Sequence, residues 1–295
     1  MDVAARSGPG AHPAPASAVP ASGGSGEVPA ARAAAHDEAA RDEAPPTSHI
    51  VTELGLRLTD GEGALHGHAQ VTPHLCVPGT STLRTSVLAT WADVIAGTVV
   101  GEALSPRIPL TLDLEIQLYA QARSGARIGV AARLLKVGRT VVVSETRFHD
   151  EASGAPLAVA LISFIASPNP RDVFPEGFPR AWGNPPLLAQ PLADRVGGRI
   201  VVPGTFEMAR RPDGLNATGA IQGGLVSFAA EEAASSLVAG PVVVEAMNVR
   251  YFRPISTGPA RAVAEGDGRF SVVRITDVGV GKLSTVATVR LTDPA

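Results

Sequence analysis

Two segments of the chain are apolar on nearly every side and long enough for helices, residues 81–101 (STLRTSVLATWADVIAGTVVG) and 219–240 (GAIQGGLVSFAAEEAASSLVAG). In the first, Leu83, Val87, Leu88, Trp91, Val94 and Ile95 spread over all faces of a 3.6-residue period. Such a helix is wrapped by protein rather than laid on a surface. Each segment is followed by a tract of alternating, β-branched character. After the first come residues 110–119 (LTLDLEIQLY), 126–137 and 140–149; after the second come 242–252, 260–265, 269–277 and 283–291. A helix and then strands, written twice, predict a duplicated unit of about 110 residues.

Smaller echoes support the duplication. VGRTVVVSETRF (137–148) resembles VGKLSTVATVRL, which matches Gly138-Arg139 to Gly281-Lys282 and predicts the same turn in each unit. Residues 167–191 (SPNPRDVFPEGFPRAWGNPPLLAQP) are dense in proline and lack periodicity, so they read as a linker. The expected organisation is a tail over 1–46, a first unit over 47–168, a linker over 169–194 and a second unit over 195–295. One helix enclosed by a curved antiparallel sheet is the hotdog arrangement. The expected class is α+β, two hotdog domains in tandem.

Composition narrows the setting. Residues 1–46 hold no aromatic, Leu or Ile and are rich in Ala, Pro, Gly and Ser, so they cannot offset ordering entropy by burial and read as a disordered tail. Pro13, Pro15 and Pro20 interrupt what would otherwise be a signal-peptide core, and the tail's acids argue against a transit peptide. The tail carries Arg6, Arg32 and Arg41 against Asp2, Glu27, Asp37, Glu38, Asp42 and Glu43, which accounts for the net charge of −3. The remainder is neutral overall, which argues against a nucleic-acid partner, since such a partner requires a basic face. Cys76 is the single cysteine, which excludes an intramolecular disulfide and makes the cytoplasm the expected compartment. No apolar run reaches the roughly 18 to 20 uninterrupted residues of a membrane span.

Against that background Asn216, Gly219, Gln222-Gly223-Gly224 and Glu231 follow a pattern N-x-x-G-x-x-H-G-G…D/E, with Gln222 where many members have His. In the first unit Ala92-Asp93 and Gly97 match A-D-x-x-x-G, while Arg84-Thr85-Ser86 replaces H-G-G. On these residues the sequence resembles the hotdog acyl-CoA thioesterases of the phenylacetate-pathway (PaaI-like) and 4-hydroxybenzoyl-CoA type. The second unit carries the resemblance most clearly, and each unit keeps a different half of the pattern. The resemblance implies a site between two hotdogs, with Asn216, Gln222 and Gly223 facing Asp93. It also implies a water-placing hydroxyl on the strand after the helix, where Thr111 stands; Val244 is its counterpart in the second unit.

The chemistry fits those types. Backbone N–H groups at a helix N-terminus are aimed at the negative charge that develops on a thioester oxygen under attack, and each such donor is worth about 2.7 to 4 kcal/mol of barrier. Gly223 lets an acyl chain approach the backbone, or else serves helix packing; Gly224 is expected beside the substrate. Asp93 is flanked at helical spacing by Ala89, Thr90, Ala96 and Gly97, which leaves room for a ligand, and desolvation would raise its pKa toward that of a useful base. It would act as base or as nucleophile; the residues do not choose. A buried structural Asp is the plainer reading.

Glu231 is the register partner of Asp93 but faces Arg84. The expectation is an Arg84–Glu231 ion pair in place of a second active site, the alternative being a site where Arg84 binds an anion. Glu232 is expected to be solvated. His66 and His68 share a strand face near His74 without a third ligand at helical spacing, so no metal is expected. Ser227 lacks a nucleophile-elbow context. Lys136 and Lys282 beside the turns either attract CoA phosphates or keep strand edges soluble.

The function expected is hydrolysis of an acyl-CoA substrate, with no cofactor, no nucleic acid and no membrane span. A homo-oligomer is one expectation, since fused hotdogs often pair further. The alternatives are a non-catalytic acyl-CoA or acyl-carrier binding protein, or a hotdog dehydratase, for which neither helix supplies the required His.

Overall fold

The computed structural model describes residues 48–61, 64–176 and 186–295. The expected tail over 1–46 and the middle of the proline-rich linker lie outside the described residues. A short helix α1 (Ile50–Glu53) leads into strands β1 (Arg57–Gly61) and β2 (Ala64–Gln70), and then into the long helix α2 (Thr85–Leu104). Four strands follow: β3 (Pro109–Leu118), β4 (Arg127–Val137), β5 (Val142–Asp150) and β6 (Pro156–Ala166). The second unit repeats this order with α3 (Leu192–Arg195), β7 (Gly198–Val202), β8 (Thr205–Met208), α4 (Gly223–Ser235), β9 (Val243–Tyr251), β10 (Ala260–Gly266), β11 (Phe270–Asp277) and β12 (Lys282–Thr292).

All twelve strands form one antiparallel sheet in the order β1-β2-β4-β5-β6-β3-β9-β12-β11-β10-β8-β7. The first six belong to the first unit and the last six repeat their order in reverse. The seam is the β3–β9 ladder, from Asp113 opposite Arg250 to Gln117 opposite Ala246. Helix α2 packs on β2 to β6, and α4 on the strands of its own unit. By length and composition α2 could cross a membrane, but most of it is buried. Its Val87, Leu88, Trp91 and Ile95 are core residues, each contributing about 1.5 to 3 kcal/mol by burial.

The two helices also touch each other. A Cβ on Gly224 would lie 2.3 Å from the Thr90 hydroxyl oxygen, so glycine is what brings α4 this close to α2. A bulge in β3 leaves Leu112 unpaired between Thr111 and Asp113, and a register shift in β12 likewise leaves Glu245 of β9 unpaired between Val244 and Ala246. Thr111 and Val244 therefore hold equivalent places, as the sequence predicts. So do Arg84 and Gln222, the N-cap residues of α2 and α4.

Two expectations need correction. β6 is a strand that the periodicity does not reveal. The echo of 137–148 in the second unit is displaced by one hairpin: Gly138-Arg139 joins β4 to β5, whereas Gly281-Lys282 joins β11 to β12, whose counterpart is the β5–β6 turn at Gly154. At the end of the linker Leu188 is buried and its N–H donates to the Glu53 carbonyl. Just beyond it, Arg195 grips Glu53 of α1 through two nitrogens and Asp213 through a third, which ties the start of the first unit to the second.

Candidate active site

The seam and the α2–α4 contact bring Asp93, Thr111, Gln222 and Gly223 together. The Thr111 hydroxyl donates to Asp93 Oδ1 at 2.7 Å, and Gln222 Nε2 donates to Asp93 Oδ2 at 2.7 Å. The other end of the same amide, Gln222 Oε1, accepts from Gly224 N–H at 2.7 Å and Leu225 N–H at 3.2 Å. Gln222 thus caps its own helix and, by doing so, fixes which amide atom faces the carboxylate. The Gly223 N–H, first of the helix, is left with no acceptor among the described residues. It is a free donor at a positive helix end.

Asp93 is 9% exposed. Burial pushes its pKa up to about 6, against the opposing pull of the Thr111 and Gln222 hydrogen bonds, which favour the carboxylate. The group is ionised at neutral pH and still basic enough to take a proton from water.

A Cβ on Gly223 would stand 3.3 Å from Asp93 Oδ2 and 3.5 Å from the Tyr251 hydroxyl. The space over Gly223 is therefore walled by an acid on one side and a phenol on the other. Tyr251, at the end of β9, donates to the Gly223 carbonyl at 3.0 Å and lies 3.0 Å from the Ser227 hydroxyl. Burial first, and the Asp93 charge second, raise its pKa, so it remains a neutral donor. Sequence reasoning missed Tyr251, since neither its type nor its spacing sets it apart, and Ser227 figures here as its partner rather than as a nucleophile.

Other expected site residues take different partners. Asn216 Oδ1 accepts from Thr218 N–H, the Thr218 hydroxyl and Ala220 N–H, so this side chain builds the loop before Gln222. Gly224 is committed to the Gln222 cap and to packing on Thr90. Arg84 and Glu231 are buried, and the expected ion pair between them is corrected in detail: their closest charged atoms are 3.9 Å apart, while Arg84 Nη1 lies 2.5 Å from Glu232 Oε1. Glu232, expected in solvent, is the tight partner. The Arg84 guanidinium also sits 5.1 Å over the Phe228 ring.

Glu231 instead accepts the Ser86 N–H at 2.8 Å, capping α2 from across the interface, and burial raises its pKa despite Arg84. Thr85, the counterpart of Gly223, fills the remaining space and donates to the Val244 carbonyl. Among the described residues no three His, Cys, Asp or Glu are grouped to hold a metal.

Residues 82–156 match the model of the thioesterase superfamily, a segment that contains Asp93 and Thr111. The family match therefore falls on the first unit, although the sequence pattern is clearer in the second. No curated protein matches the sequence. Among solved structures, the tesB protein of Mycobacterium avium subsp. paratuberculosis aligns with a TM-score of 0.57 at 14% identity, over 83% of this chain and 98% of that one. The 12:0-ACP thioesterase of Umbellularia californica aligns with a TM-score of 0.56 at 9% identity, over 80% of this chain and 100% of that one. Identities this low establish the fold alone. The fold and the family match define the class as the thioester hydrolases. Residues 82–156 are similar to the thioesterase superfamily, and they lie within the first of two tandem hotdog units.

Proposed function

We propose that the protein is an acyl-CoA thioesterase with one working site, at the Asp93 end of the α2–α4 contact. The observation that carries this reading is the pair of 2.7 Å hydrogen bonds that hold Asp93 between Thr111 and Gln222, beside a free Gly223 N–H. The thioester carbonyl lies over Gly223 with its oxygen on that N–H, in the space the missing Cβ leaves. Asp93 accepts a proton from water as the water attacks the acyl carbon, and the negative charge passes to the carbonyl oxygen. Collapse of that intermediate breaks the C–S bond, and the proton held by Asp93 passes to the leaving sulfur, which restores the carboxylate and releases the thiol.

Thr111 and Gln222 keep Asp93 ionised and fix the direction of its free lone pairs; Tyr251 holds the Gly223 carbonyl and, with it, the first turn of α4. Asn216 acts through the loop it shapes. Attack by Asp93 itself on the acyl carbon, giving an anhydride that water then opens, uses the same groups. The protein is expected to work in the cytoplasm.

The test is a thiol-release screen over short, long and aromatic acyl-CoAs. Asp93→Asn should lose at least about 100-fold in kcat, the scale expected for a general base, while Glu231→Gln, at the sealed counterpart, should keep kcat within a few fold. Retained hydrolysis by a folded Asp93→Asn variant removes the assignment. Binding of acyl-CoA without turnover by the unaltered protein would favour the non-catalytic binder.

A further inference from the structure

The sheet has two ends, and their charges differ. At the end away from the candidate site cations are matched: Arg127 pairs with Glu151, Arg269 with Asp293 and Arg274 with Glu265, while Arg123 reaches the chain's C-terminal Ala295. At the candidate-site end, six exposed cations have neither an ion pair nor a side-chain hydrogen bond among the described residues: Lys136, Arg139, Arg171, Arg250, Arg253 and Lys282. The one exception at the far end, among the described residues, is Arg290 near the end of β12.

The acids at this end do not cancel them. Asp277 is spent on three backbone N–H groups of residues 256–258, and Asp172 on Ser167 and Asn169. Among the described residues the other acids here are Asp113, opposite Arg250 in register, Glu176, and Glu102 on the last turn of α2, three acids against six cations.

The register places these cations at the strand ends nearest the Asp93 end of the α2–α4 contact. Phe252 and Arg253 follow Tyr251 directly and donate their N–H groups to the Ser284 carbonyl, beside Lys282 and Leu283. Val142, next to the Arg139 turn, pairs with Phe164, which pairs with Thr111. Arg171 to Val173 run beside Arg107 and Ile108, at the start of β3. Exposed apolar side chains, Phe252 and Leu283 among them, are interleaved with the charges.

From the Arg139 turn to Lys282 the rim crosses four strand spacings, roughly 19 Å at about 4.8 Å each. A single nucleotide concentrates its phosphates in a far smaller space. Width, unpaired positive charge and interspersed apolar groups together match a macromolecular surface of opposite sign.

We propose that this rim docks a small acidic carrier protein, which presents the acyl group to the Asp93 site as a thioester on a tethered arm. The inference rests on the thioesterase reading and adds the partner. Acyl-CoA offers the same arm without the protein.

The test uses the full chain and its charge-reversed form Arg250→Glu/Arg253→Glu/Lys282→Glu. The acyl chain best hydrolysed in the CoA screen is offered on an acidic acyl carrier protein, on CoA and on uncharged pantetheine. Charge reversal should lower kcat/KM for the carrier substrate by about 30-fold or more, chiefly through KM and with loss of its salt dependence, and leave acyl-pantetheine as a control for folding of the site. An equal loss with acyl-CoA would assign the rim to nucleotide phosphates and overturn the proposal, as would no loss with any substrate.

If the unaltered protein hydrolyses nothing, the thioesterase reading fails by itself. Anisotropy of the labelled carrier protein then judges the rim alone: a Kd raised about tenfold or more by charge reversal supports docking, and an unchanged Kd refutes it.

Discussion

Replacing Asp93 by Asn should abolish activity and make the protein more stable. The carboxyl is held at about 6 by burial, against 3.8 for an unperturbed side chain. Keeping it ionised in the folded state therefore costs about 3 kcal/mol, at 1.36 kcal/mol per pKa unit. The sign follows from linkage. Between pH 4 and 6 the folded protein holds the proton that the unfolded chain has already released, so wild-type stability falls as pH rises through this window and is then level.

Asn is isosteric and can still accept from Gln222 Nε2 while turning its amide N–H toward Thr111. The cost of this exchange is about one altered hydrogen bond, roughly 1 kcal/mol. The variant should be more stable than the wild type by about 2 to 3 kcal/mol at pH 8, or about 4 to 10 °C in Tm for a folded region of this size. By pH 4 the two should converge to within about 1 kcal/mol. Urea unfolding of both proteins from pH 4 to pH 8 measures this directly. A variant less stable than wild type at pH 8, or a difference that does not shrink with falling pH, would refute the account of Asp93 as a desolvated base.

Further outcomes are expected. Thr111→Val removes a bond that favours the carboxylate, so the acid limb of the kcat/KM profile, with its midpoint near pH 6 in the wild type, should move upward and activity should fall more at pH 6 than at pH 8. Gly224→Ala places a methyl against Thr90, whose hydroxyl already donates to the Ser86 carbonyl; overpacking of about 1 to 3 kcal/mol should appear in denaturant midpoints. Arg84→Ala strands Glu232 and Glu231 in the interior and should cost about 3 to 5 kcal/mol of stability, with kcat little changed in the protein that remains folded.

Much of this was legible from residue type and spacing. An all-apolar helix ahead of alternating strands is a pattern with few solutions, and its repetition specifies the second copy. Asp93 was visible through its place in the A-D-x-x-x-G resemblance, to which the small residues around it added room for a ligand. Local pattern failed where long-range pairing decides. β6 (PLAVALISFIA) is nearly continuous in apolar residues, so its two faces do not separate, although Leu161 is 41% exposed. β5 and β12 share a glycine turn and Val/Thr alternation, which encode a strand but not its neighbours. Nothing in the local sequence around Glu232 marks the cation that draws it out of solvent. The reach of Arg84 across the interface is a tertiary fact. Asn216 matched a motif, yet whether an Asn side chain turns to its own backbone or to a substrate is decided by loop geometry that spacing does not encode.

The two ends of the α2–α4 contact show how one duplicated unit yields one site. At each end a carboxylate from one helix approaches the N-terminus of the other. At the Asp93 end an amide stands between them: Gln222 takes the second and third helical N–H groups and offers its own N–H to the acid, so the acid retains lone pairs and the first N–H stays free. At the other end the N-cap is Arg84, whose guanidinium cannot accept from an N–H. Glu231 must then cap Ser86 N–H directly, and Glu232 must neutralise the arginine. Thr85 plugs the space that Gly223 leaves open, and Val244 offers no hydroxyl where Thr111 does. Each change removes one requirement of hydrolysis, and two of them add bonds to the second unit, Arg84 to Glu232 and Thr85 to the Val244 carbonyl. Restoring the second site would therefore take Arg84→Gln, Thr85→Gly and Val244→Thr together with Glu232→Gln, since loss of the arginine alone strands the Glu232 charge.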